Sequence, residues 1–63
     1  MKFHITERVK VISGFYSTFK GRILSVIENK DGSIFYEVNL KIRDNEEKVK
    51  IQENELKATK WIV

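Results

Sequence analysis

Between Ile34 and Lys41 the chain reads I-F-Y-E-V-N-L-K, and every second residue is apolar and bulky. Ile34, Tyr36, Val38 and Leu40 fall on one side. Phe35, Glu37, Asn39 and Lys41 fall on the other. Period two is the geometry of an extended strand, whose successive side chains point to opposite faces. A helix would scatter both sets around its axis. The second set carries two charges and an amide, so the first set faces the core. A strand covered on one face belongs to an antiparallel sheet, and its neighbours must alternate in the same way.

A first strand, expected over about Arg8–Ser13, does alternate, with Val9 and Val11 on one side and Lys10 and Ile12 on the other. A second runs over about Gly21–Glu28, and Phe3-His4-Ile5 forms a short edge segment before both. Asp31-Gly32 marks the turn into the third strand, Ile34–Lys41. Arg43–Glu47 reads as a polar turn, and Lys48–Gln52 as a fourth strand that buries Val49 and Ile51. Glu53–Leu56 suits one 3-10 turn, with Leu56 plugging the core. Lys57–Ile62 makes a last short strand. The expected core is Val11, Ile23, Tyr36, Val38, Val49, Ile51 and Leu56. Five short strands, one late helical turn and no spacing for a crossover helix predict an all-β fold, a small five-stranded barrel in a single domain of residues 1–63.

Sixty-three residues leave room for a small core only. A small core rarely holds a deep pocket, so a non-enzyme is expected. The chain has no cysteine and a lone histidine, His4. Thiolate metal sites and disulfides are therefore excluded, and no metal or cofactor is expected. Ser13, Ser17 and Thr18 have no evident base partner, and no glycine-rich loop precedes a helix. No apolar run approaches the ~18 residues of a membrane helix. Met1-Lys2-Phe3-His4 leads straight into charged residues, unlike a secretory leader, so a cytoplasmic protein is expected.

The formal net charge of +3 is unevenly spread. Up to Ile27 there are five basic residues against the single acid Glu7, a net +4. Positive potential gathered on the first two strands can steer an anionic partner. The segment between those strands is aromatic: Phe15, Tyr16 and Phe19 stand among Ser17, Thr18 and Lys20. For Phe15 and Phe19 the expectation leans to folding back on the small core, with an exposed contact role as the alternative. Tyr16, whose hydroxyl must reach water or a partner, is expected to stay exposed. The candidate contact residues are Lys10, Lys20 and Arg22 for charge, with Tyr16 and Phe19 for stacking on bases. Stacking of that kind favours single strands, so RNA or single-stranded DNA is the expected ligand. Phe35 and Trp61 are expected to form either a second apolar patch, facing a partner or a twin subunit, or a minor core under the first loop.

Val9-x-Val11-Ile12-x-Gly14 followed by Gly21-x-Ile23 resembles the KOW motif of SH3-like barrels. That motif occurs in certain ribosomal proteins and in the NusG class of transcription elongation factors. The resemblance covers about fifteen residues. It implies an SH3-like barrel that contacts nucleic acid or a nucleoprotein machine, such as the ribosome or RNA polymerase. The chain departs from the pattern at Thr18, where the motif has its middle glycine, so a differently shaped loop is expected. The barrel is also similar in size to the type II dihydrofolate reductases. Val49-Lys50-Ile51-Gln52 lacks the glutamine and tyrosine positions of their Val-Gln-Ile-Tyr signature, which argues against that activity. The competing function is a protein–protein interaction module, such as a small adaptor or inhibitor from a phage or mobile element.

Overall fold

The computed structural model describes residues 2–59. It contains β1 (Arg8–Val11), β2 (Lys20–Glu28), β3 (Ile34–Ile42), β4 (Asn45–Gln52), a 3-10 turn (Glu53–Glu55) and β5 (Leu56–Ala58). All neighbours are antiparallel, in the order β4-β3-β2-β1-β5. The all-β class, the five strands and the 3-10 turn before the last strand are as the sequence predicts. Barrel closure is not. Among the described residues β4 and β5 are the two edges of an open sheet. The 3-10 turn carries the chain from one edge to the other, and β5, three residues long, pairs with β1 alone.

One face of the sheet is dry. Val9, Val11, Ile23, Tyr36, Val38, Leu40, Ile51 and Leu56 form one buried cluster. Phe3 joins them from the N-terminal segment, its ring edge-on to Tyr36 with centroids 5.3 Å apart. The segment around Phe3 is therefore a core plug and not an edge strand. Val49, expected in the core, is half-buried near the β4 edge.

The apolar spacing of β2 breaks strict alternation, and a bulge explains it. Ile23 pairs with Val38 and Ser25 with Glu37, so two consecutive residues of β3 face three residues of β2. Leu24 is the extra residue. It lets both Ile23 and Val26 serve the core side although they lie three apart, and it bends the strand. The β3–β4 connection is also tighter than the sequence suggests. Ile42 pairs with Asn45, which leaves Arg43 and Asp44 as a two-residue turn with Arg43 at φ 57°. Asn45, Glu46 and Glu47 continue the ladder and are strand residues, not turn residues.

The hydroxyl of Tyr36 organises the end of the sheet under the 3-10 turn. It donates to Glu53 Oε2 at 2.6 Å and accepts from the backbone N–H groups of Lys2 and Phe3 at 3.2 and 3.3 Å. The Lys2 N–H also reaches Glu53 Oε2 at 3.2 Å. The Tyr36 hydrogen bond, foremost, and the Lys2 N–H hold the Glu53 carboxyl below its ordinary value. A depressed carboxylate contributes stability above its unfolded pKa and loses it as pH falls through the folded value. Thermal midpoints measured from pH 6 downwards should therefore fall in the acid range. Glu53→Gln should remove part of that acid slope; an unchanged slope would show that Glu53 is not coupled to folding.

Candidate nucleic-acid interface

The outer face of the sheet is built by the residues that alternate with the core. Residues directly opposite on antiparallel strands share a face, so the register fixes who stands beside whom. Lys57 of β5 lies opposite Lys10 of β1, Lys10 opposite Lys20 of β2, and Lys20 opposite Lys41 of β3. Glu46 of β4 ends that row. Two residues along, Arg8 lies opposite Arg22, Arg22 opposite Asn39, and Asn39 opposite Lys48. Seven cations and one acid thus occupy two adjacent rows. Between the rows runs a shallow depression of about 360 Å³, lined by Arg8, Lys20, Arg22, Asn39, Lys41 and Glu46 among others. Lys20, Arg22 and Lys41 are exposed, and Lys10 is half-buried.

Gly21 sits between the rows, opposite Val9 and Leu40. Its φ is not in the left-handed range. What requires glycine is proximity: a Cβ there would overlap the Asn39 carbonyl oxygen and stand 2.8 Å from its carbon. A glycine opening a long strand suggests a bend; the close approach of β3 is the stronger reason.

The loop after the first row, residues 12–19, is tied down at both ends. Val11 N–H donates to Phe19 O at 2.9 Å, and Thr18 N–H to Val11 O at 2.8 Å. Ile12 N–H reaches Glu55 O at 2.9 Å, so the loop also leans on the 3-10 turn. Gly14 and Thr18 both have positive φ, 88° and 80°. Thr18, at the position where the resembled motif has a glycine, itself adopts the conformation that glycine prefers. A β-branched residue there is strained by roughly 1–2 kcal/mol. Part of any relief is lost to the greater freedom of glycine in the unfolded chain. Thr18→Gly should stabilise by about 0.5–1 kcal/mol, a rise in thermal midpoint of roughly 2–8 °C. A fall would show that the threonine side chain makes contacts that outweigh its strain.

The aromatics exchange the roles expected for two of them. Tyr16 and Phe19 are half-buried and pack against the core. Phe15 is 90% exposed, with its ring edge-on to Tyr16 at 4.9 Å. The hydroxyl of Tyr16 made it the expected exposed ring. Alternation cannot locate side chains in a loop, and three consecutive turn residues carry no other signal. Phe35 lies on the outer face as expected, half-buried, and Lys50 Nζ stands 5.1 Å from its ring centroid. Trp61, its expected companion, lies outside the described residues. The structure thus brings Lys10, Lys20 and Arg22 together, leaves Tyr16 and Phe19 on the core side, and adds Arg8, Lys41, Lys48 and Lys57. Those four are ordinary surface cations in the sequence and become neighbours only through the register.

Among the described residues no three His, Cys, Asp or Glu side chains form a metal-binding group. No described helix is long and apolar enough to cross a membrane. Comparison of the chain with family models, with curated proteins and with solved structures gives no match.

Proposed function

We propose that this protein is a small non-catalytic module that binds nucleic acid, free or within a nucleoprotein machine, through the cationic outer face of its sheet. Lys10, Lys20 and Arg22 are the centre of that surface. One observation carries the reading: lysine faces lysine across three successive strand pairs, and arginine faces arginine in the next row. Like charges directly opposite on a sheet destabilise it. A polyanion offsets that repulsion and gains counterion-release energy as it binds. The reading includes an SH3-like fold of the KOW kind. Five antiparallel strands and a 3-10 turn before the last one support it.

The test is fluorescence anisotropy with labelled nucleic acids at two salt concentrations. Lys20→Ala and Arg22→Ala should each weaken binding, and each should flatten the log–log salt slope by about 0.7–0.9 for every phosphate left unneutralised. Binding no tighter than ~10⁻⁴ M at physiological salt, the weak limit for nonspecific association, would remove the proposal. It would promote a protein partner, the reading that exposed Phe15 and Ile12 favour. In that case Phe15→Ala would dominate, since a desolvated aromatic anchors a protein interface while peripheral charges mainly tune the on-rate.

A further inference from the structure

Resting on that reading, we infer that the preferred ligand is double-stranded DNA, held by phosphates on both walls of its major groove and not by base stacking. Two features separate this from a generic anion surface. The first is where the aromatic rings are. Tyr16 and Phe19 pack on the core, Phe35 lies beside the Lys50 ammonium, and the exposed Phe15 belongs to the β1–β2 loop and to neither row. The two cationic rows consist of Lys and Arg with Asn39 and Glu46, and contain no ring on which a base can stack. Single-strand binders need such platforms, because unpaired bases must be sheltered. The single-strand preference expected from Tyr16 and Phe19 therefore loses its basis.

The second feature is width. Lys57, Lys10, Lys20 and Lys41 span three strand spacings of about 4.8 Å, so the ends of the row are about 14 Å apart at the backbone. The major groove of B-form DNA is about 12 Å wide. Lys57 and Lys41 can thus reach opposite walls while Lys10 and Lys20 lie over the groove. The whole five-stranded face, about 19 Å across, is too broad to enter it. Contact is then to phosphates and carries little sequence preference. In an A-form duplex the major groove is narrow and deep, and the same row does not match its walls.

The experiment is anisotropy on the full chain with a 20-base-pair DNA duplex, the same sequence as duplex RNA, and each DNA strand alone. Duplex DNA should bind about tenfold tighter than either single strand at moderate salt, with a salt slope of about −0.9 for each phosphate neutralised. Lys41→Ala and Lys57→Ala should each flatten the slope on duplex DNA by about 0.9, and Lys41→Arg should restore it. Circular dichroism confirms that the variants keep the fold. Equal or tighter binding to single strands or to duplex RNA would overturn this inference and leave the proposed function standing. A duplex slope indifferent to Lys41 and Lys57 would also overturn it. Failure to bind any of the nucleic acids would remove both.

Discussion

Gly21→Ala is expected to leave the protein largely unfolded at 37 °C. The added methyl would overlap the Asn39 carbonyl and stand 2.9 Å from Leu40 Cα. Both are backbone atoms of β3, hydrogen-bonded into the centre of the sheet, and neither can rotate away as a side chain could. Relief requires the β2 and β3 backbones to separate where Gly21 faces Leu40, beside the Ile23–Val38 pair. Overpacking a core with a single methylene already costs about 1–3 kcal/mol. A domain of this size has about 3–5 kcal/mol to lose. Gly32→Ala is the informative control. Its φ of 91° makes alanine strained, but no atom lies within 4 Å of the new methyl. That variant should lose about 1–2 kcal/mol and stay folded. If chemical denaturation ranks Gly21→Ala as the milder of the two, close backbone approach is not what fixes glycine at that position.

Tyr36→Ala should be comparably damaging, and Tyr36→Phe much less so. The ring is fully buried between Phe3 and the sheet, and truncating a buried aromatic costs about 3–5 kcal/mol. Tyr36→Phe keeps the packing but removes the hydroxyl. Two backbone N–H groups and Glu53 then lose a shared partner, at about 1–3 kcal/mol. Wild type and Tyr36→Phe also differ in alkali. Burial, foremost, and the hydrogen bond to Glu53 raise the Tyr36 pKa above its ordinary value of 10.0. A raised phenol contributes stability that is intact below the unfolded pKa and lost as pH rises through the folded one. Wild-type protein should therefore weaken above about pH 10, where Tyr36→Phe should be flatter. Identical alkaline profiles would show that the hydroxyl is not sequestered.

Much of this fold is legible in the sequence because β3 is central and covered on one side. Its alternation from Ile34 to Leu40 names the core face directly. Leu24 shows the limit of that logic. A bulge adds one residue to one strand, so β2 has no single period from which its faces can be read. Arg43-Asp44 shows another limit. The turn carries no Asn-Gly or Asp-Gly signal, and the ladder alone holds Arg43 at positive φ. The candidate site is only half visible, for a geometric reason. Lys10, Lys20 and Arg22 flank one loop and stand out as a local cluster. Lys41 and Lys57 join them only after the pairings of β2 with β3 and of β1 with β5 are known, and each of those residues sits beside acidic segments that mask it in a running charge count.

The facing lysines also tie folding to the ionic medium. In dilute salt the rows repel most strongly, so the unliganded sheet is at its weakest when its attraction for a polyanion is at its greatest. Added salt screens the repulsion and relaxes that attraction together. A polyanion bound as proposed would then be a multivalent counterion for the fold as well as its cargo, and its occupancy of the outer face would add cohesion to the small core.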